Sequence, residues 1–185
     1  MEEKIIENHK QSWQSLKNNT LHRFVEYIVA DMAKDLKLGF VTGNKIRFTV
    51  PHDLTAELNK IKRNLLVDYG GEYDARVPNM DIVIYEPKSS KVFAIVFMSE
   101  LKERVLNAVY WKLKFDSCPY SNHIKVFFVT SDSKKFPTNN KFDRMCGSVL
   151  SDIDGYYVFS ERKRAKNDNI QNFDEFFDDL QKAVK

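Results

Sequence analysis

The sequence predicts an α/β sandwich, a mixed β-sheet of about four to six strands flanked by helices. Three observations carry that class. Apolar residues at 21, 24, 25, 28, 29, 32 and 36 recur with the 3.6-residue period of a helix. Two short apolar runs, DIVIYEP and VFAIVFM, follow one another across Lys-Ser-Ser and read as adjacent strands. Helical and strand patterns then alternate to the end of the chain.

Taken in order, residues 2–17 read as a helix with Ile5, Ile6, Trp13 and Leu16 on a rough apolar stripe. Asn18-Asn19-Thr20 breaks it and caps a second helix from Leu21, which Gly39 stops. FVTGNKIRFTV reads as a short strand or hairpin with Gly43 at the turn, ended by Pro51. Asp53 caps a helix over 54–66, striped by Leu54, Leu58, Ile61 and Leu65. A glycine-bearing loop, VDYGGEYDARVPNM, leads to the two strands. Ser99 caps a helix from 100 to about 115, with apolar residues at 101, 105, 108, 109 and 113 on one face. Residues 123–130 form a buried strand, 140–150 a helix, 155–160 a last strand and 173–184 an amphipathic helix.

The chain has 185 residues, 43% of them apolar, which supports one domain over 1–185 with a sizeable core. A charged share of 30% and a mean hydropathy of -0.47 fit a soluble protein. No apolar run approaches the ~20 residues of a membrane span. The polar N-terminus is no secretory signal. Two cysteines, Cys118 and Cys146, lack metal-type spacing and suit a reducing compartment, so the expected location is cytoplasmic. The net charge of +3 is mildly basic, with local clusters at Lys60, Lys62 and Arg63, at Lys102, Arg104, Lys112 and Lys114, and at Arg162, Lys163, Arg164 and Lys166. Most such clusters are solvated faces.

The stretch PNMDIVIYEPKSSKVFAIVFMSELKERV holds the candidate chemistry. A hairpin turning near Lys88 to Ser90, with its midpoint between 88 and 89, sets residue 81 opposite residue 96, with 96 and 98 on one face. A metal-dependent phosphodiesterase needs acids at 81 and 96 to hold Mg²⁺ and a lysine at 98 to stabilise the transition state. The sequence has Asp81, Val96 and Met98. Its Glu-x-Lys, Glu100-Leu101-Lys102, comes four residues later, roughly 13 Å along a strand. A bulge or shifted register would be needed to bring it back.

This stretch resembles the PD-(D/E)XK nuclease superfamily, and more closely a group of small type II restriction endonucleases. WQSLKNNTLHRFVEYI, LNKIKRNLLVDYGGEYDARVPNMDIVIYEP, VFAIVFMSELKERVLNAVYWKLKF and HIKVFFVT carry the likeness over about residues 12–130, and LKER…AVYWKLK is its most specific part. The resemblance implies a restriction-endonuclease-like core and Asp81 as the metal-binding aspartate. It also implies Mg²⁺ as cofactor and double-stranded DNA as partner. The family's proline is present as Pro78, displaced by two residues. The family's lysine position is Met98, its second strand position is Val96, and the helical acid of many relatives is His22.

Two outcomes stay open, beside a third and weaker one, a fold relative with another role such as a Holliday-junction resolvase or a repair nuclease. In the first, a relocated site uses Asp81, Glu100, Lys102 and Glu103, with Asp81 and Glu100 on the metal. The protein then acts as a homodimer, or as a heteromer with a related subunit. Lys112, Lys114 and the cluster Arg162, Lys163, Arg164 contact phosphates, and loops 131–141 and 160–170 read bases. In the second, the chain is a catalytically inactive DNA-binding homologue or subunit partner of an active endonuclease. The plain readings are that Glu100, Lys102 and Glu103 are surface charges on a helix's first turns, Met98 is core, and His22 is a surface or interface residue. Glu72 and Asp74 are further residues able to line a cleft.

Overall fold

The structure is a computed structural model that describes residues 2–70, 74–87, 89, 91–98, 104–131, 152–159 and 170–184, with side chains of 2–18, 98, 104 and 105 left aside. The first helix, α1, runs unbroken over Glu2–Asp35. This replaces the expected pair of helices split at Asn18-Asn19-Thr20. Asn and Thr cost only tenths of a kcal/mol each against alanine, and neither glycine nor proline stands there to force a break. The helix ends at Asp35, four residues before Gly39. Lys37 adopts a left-handed φ of 57°. Leu38 N–H donates to Ala33 O and Lys37 N–H to Lys34 O, at 2.8 and 3.0 Å. This is a Schellman closure with a lysine in the usual glycine place, held by burial of Leu38 and Ala33.

Strand β1 (Gly39–Thr42) leads straight into a short helix, α2 (Gly43–Phe48), so the expected hairpin is a strand and a helix. Gly43 is required for close approach, not for a turn. A Cβ there would lie 1.8 Å from the Met80 carbonyl oxygen. Thr42 caps α2 by accepting from Lys45 N–H. A 3-10 turn, Pro51–Asp53, follows, and helix α3 (Ala56–Asn64) is capped by Thr55 instead of Asp53. An antiparallel bridge between Val67 and Arg76 pins the loop after it.

Strands β2 (Ile82–Tyr85) and β3 (Val92–Met98) form the expected hairpin, paired Ile82 to Ile95. Helix α4 covers Arg104–Ser117 and strand β4 Ile124–Thr130. Then come β5 (Gly155–Val158), an unanticipated two-residue strand β6 (Gln171–Asn172) and helix α5 (Glu175–Val184). The expected helix over 140–150 lies outside the described residues. The sheet has six strands in the order β1-β2-β3-β4-β5-β6. β1, β2 and β3 pair antiparallel, and β3 to β6 pair parallel.

Two apolar layers sandwich this sheet. Val92, Ala94 and Val96 face α2, α3 and α4 through Ile46, Ile61, Leu65, Ala108 and Phe115. Phe93, Ile95 and Phe97 face α1 and α5 through Val25, Val29, Phe176 and Leu180. That two-sided burial is why β3 and β4 read as continuous apolar runs. Helix α4 buries Ala108 and Val109 as expected, together with Trp111 and Phe115, whereas Leu113 is 54% exposed. No described helix is long and apolar enough to cross a membrane.

Candidate active site

Asp81 stands one residue before β2, where the sheet meets α1 and α2. The Ile82–Ile95 pairing puts residue 81 opposite residue 96, the register the turn midpoint predicts. Asp81 N–H donates to Ile95 O at 3.0 Å, and Gly43 N–H donates to Asp81 O at 2.7 Å. Its backbone is therefore fixed from β3 on one side and from the start of α2 on the other.

The carboxylate is engaged at both oxygens. Phe97 N–H donates to Oδ2 at 2.7 Å. His22 Nε2 lies 3.0 Å from Oδ1, and because a carboxylate only accepts, that nitrogen carries the proton. On the other side of the ring, His22 Nδ1 is 3.6 Å from Glu26 Oε1. The imidazole also stands edge-on to the Phe97 ring. The Asp81 side chain is 11% exposed and that of His22 32%, so the pair is strongly desolvated only on the aspartate side. Sequence reasoning picks out His22 and Asp81 but not Glu26. The His22–Glu26 spacing of one helical turn was the available signal for Glu26.

Val96 is fully buried among Val83, Ala94 and Phe128. A carboxylate at that point would be an uncompensated buried charge. Met98 ends β3, paired with Thr130 of β4. Glu100, Lys102 and Glu103 lie outside the described residues, as do Arg162, Lys163 and Arg164. Glu72 also lies outside them, and Asp74 is exposed.

Among the described residues no three metal-ligating side chains converge. Mg²⁺ takes hard oxygen donors in near-octahedral array. Here the described donors are the Asp81 carboxylate, already accepting two hydrogen bonds, the His22 imidazole and, on the far side of that ring, the Glu26 carboxylate. They do not by themselves fit Mg²⁺, and a complete site needs a further carboxylate.

The structure places Lys112 and Lys114 in the last turns of α4. Lys112 Nζ meets Asp116 Oδ1 at 2.6 Å and Asp154 Oδ2 at 3.2 Å, with 11% of its side chain exposed. Asp154 Oδ2 also accepts from Val126 N–H at 2.8 Å. Burial pulls the Lys112 pKa down, but the Asp116 and Asp154 carboxylates outweigh it, and the net shift is upward. Lys112 thus ties α4 to β4 and the start of β5. Lys114 Nζ lies 5.6 Å from the centre of the Tyr110 ring.

The model of the BsaWI restriction endonuclease type 2 family matches residues 57–181. The chain belongs to that family. A relative from Methanocaldococcus jannaschii, provisionally named type II restriction enzyme MjaVIP, is 30% identical over 169 residues, covering 85% of this chain and 72% of the relative. Another from Helicobacter pylori, provisionally named type II restriction enzyme HpyAORF263P, is 30% identical over 132 residues, covering 67% and 62%. The fold matches the PspGI endonuclease solved with substrate DNA at a TM-score of 0.56 and 16% identity, over 96% of this chain and 67% of that one. It matches the BsaWI endonuclease in a pre-specific DNA complex at 0.55 and 14%, over 98% and 66%. Within the BsaWI family the six-stranded mixed sheet is therefore a restriction-endonuclease fold. Asp81 sits where its antiparallel hairpin opens onto α1.

Proposed function

We propose that this chain is a type II restriction endonuclease that binds duplex DNA and hydrolyses phosphodiester bonds at a specific site with Mg²⁺ as cofactor. The observation that carries the reading is Asp81. It is a rigidly held carboxylate at the mouth of the β2–β3 hairpin, in a chain of the BsaWI family. The names of the relatives and the DNA in the two solved neighbours support it.

In this reading Asp81 supplies one acidic ligand and Glu100 or Glu103 the second. Lys102 supplies a cation that offsets charge building on the attacked phosphate. Lys114, Arg162, Lys163 and Arg164 contact flanking phosphates. Lys112 joins them only if it leaves its two carboxylates. The assembly is a homodimer or a heteromer with a related subunit, whose two-fold symmetry would match a palindromic site.

The test is incubation of the protein with mixed plasmid and phage DNA in Mg²⁺ or Mn²⁺. Discrete fragments that vanish in Asp81→Ala support the proposal. Separate Glu100→Ala, Glu103→Ala and Lys102→Ala variants then locate the remaining groups. Activity surviving all three removes the relocated site.

A second reading, an inactive DNA-binding homologue or subunit partner, is favoured by one specific observation. The strand position facing Asp81 is a fully buried valine, and both oxygens of the aspartate are already hydrogen-bonded. Salt-sensitive DNA binding without cleavage, and cleavage restored by adding a second subunit, would select it.

A further inference from the structure

Beside Asp81 a surface of mixed aromatic and cationic side chains assembles from three sequence-distant segments. Helix α2 contributes Arg47 and Phe48, with the guanidinium 4.9 Å from the ring centre. Phe48 is 69% exposed. The loop closed by the Val67–Arg76 bridge contributes Tyr69 and Arg76. Helix α4 contributes Tyr110, stacked on Tyr69 at 6.1 Å between centroids, and Lys114 over the Tyr110 ring. Burial raises the Tyr69 phenol pKa against a hydrogen bond with Trp111 and the weaker pull of the Arg47 and Arg76 charges, so Tyr69 and both cations share one field.

This surface is continuous with the candidate active site. Arg47 donates to Asn79 Oδ1 at 3.1 Å, two residues before Asp81. Helix α2 itself is anchored on the Asp81 carbonyl through Gly43 N–H. The nearby acid Asp68 accepts from Gly70 N–H at 2.8 Å and so stabilises its own turn. Exposed aromatic rings interleaved with cations that no carboxylate pairs among the described residues suit a polyanion with flat hydrophobic edges better than a purely apolar partner.

We infer that Arg47, Phe48, Tyr69, Arg76, Tyr110 and Lys114 form a duplex-DNA contact surface that leads the phosphate backbone toward Asp81. The inference rests on the DNA-directed reading above and names the surface that reading uses. The three cations pair with successive phosphates on the strand flanking the one presented to Asp81. The tyrosines and Phe48 pack against sugar and the walls of the groove. None of these cations belongs to the basic cluster at 162–164.

The test uses the full chain and a fluorescein-labelled mixed-sequence duplex, without divalent metal, titrated over a range of salt. The expected result for Arg47→Gln, Arg76→Gln and Lys114→Gln is a roughly three- to tenfold loss of affinity each. Each should also lower the slope of log K against log salt by about one. Gln at 47 keeps a donor for Asn79, and matching thermal melts confirm that the variants fold. Tyr69→Ala and Tyr110→Ala should weaken binding with the slope unchanged. Lys34→Gln on the opposite face is expected to leave both quantities as they are.

Wild-type affinity and slope in the triple glutamine variant would overturn the inference while leaving the proposed function standing. Loss of self-association by sedimentation in Tyr110→Ala, with DNA binding intact, would also overturn it, assigning the surface to a second protein copy. A wild-type chain that binds no duplex at low salt would overturn the proposed function, and this inference with it.

Discussion

His22 Nε2 and Asp81 Oδ1 are 3.0 Å apart, bridging α1 and the head of β2 across 59 residues of sequence. The contact puts a proton donor directly against the Asp81 carboxylate, at the helical position where the family resemblance implies an acid. It also fixes the orientation of the aspartate, whose other oxygen is held by Phe97 N–H. His22→Glu would set two carboxylates side by side. Without divalent ion their repulsion lowers the melting temperature by an amount equivalent to about 1 kcal/mol. Millimolar Mn²⁺ or Mg²⁺ then raises it above that of the ion-free variant, by linkage to binding. Melting curves with and without the ion, and calorimetric titration, check both halves. A variant whose melting ignores the ion would mean that Asp81 and residue 22 do not form a cation site.

Asp81 has separable structural and chemical roles. Asp81→Asn keeps an acceptor for Phe97 N–H, so its unfolding free energy is expected within about 1 kcal/mol of wild type. Asp81→Ala leaves that buried N–H unpaired and costs on the order of 1–3 kcal/mol in urea unfolding. Both variants lose DNA cleavage under the proposed function. Cleavage retained by Asp81→Asn at wild-type rate would remove Asp81 from the catalytic machinery.

The hairpin register was legible because an antiparallel pair is fixed by its turn. A turn midpoint between residues 88 and 89 determines that 81 faces 96, and the pairing of Ile82 with Ile95 agrees. The fold class was legible for a similar reason, since uninterrupted apolar runs require a sheet covered on both faces. Helix α2 was not legible. Gly43 in FVTGNKIRF looks like a turn residue, but its role is tertiary, admitting the Met80 carbonyl where any Cβ would collide. The engagement of Lys112 was equally hidden. Asp116 is four residues away, whereas Asp154 arrives from the start of β5. At the candidate site His22 and Asp81 were both readable as positions, but their hydrogen bond depends on where an unbroken α1 carries residue 22.

Lys112 is expected to act on stability through its charge. Its folded pKa is raised, so the stabilisation from its pairs is fully present below the ordinary lysine pKa and is lost as pH rises through the folded value. Lys112→Met removes the pairs but keeps most of the stem's packing. Breaking these charge-assisted bonds costs on the order of 1–3 kcal/mol near neutral pH. The gap between wild type and variant should close as pH is raised above about 10.5. Denaturant melts at neutral and strongly alkaline pH check this. A gap that persists unchanged at high pH would show that packing, not charge, accounts for the loss.

Gly43 couples the fold to the candidate site most directly. Its N–H donates to the Asp81 carbonyl, and a Cβ at this position would lie 1.8 Å from the Met80 oxygen. That neighbour is backbone, which cannot rotate aside as a side chain would. Gly43→Ala must therefore push α2 away from residues 80 and 81, breaking the Gly43–Asp81 bond and loosening Ile46 from its buried position. The expected cost is about 2–4 kcal/mol in urea unfolding, comparable to other core overpacking and buried hydrogen-bond losses. The displacement also carries Arg47 away from Asn79, so duplex-DNA affinity should fall in the same variant even where it remains folded. Asn44→Ala, one residue along the helix and exposed, provides the control and should change neither quantity. A Gly43→Ala protein with wild-type stability would require α2 to sit farther from Met80 than this geometry places it.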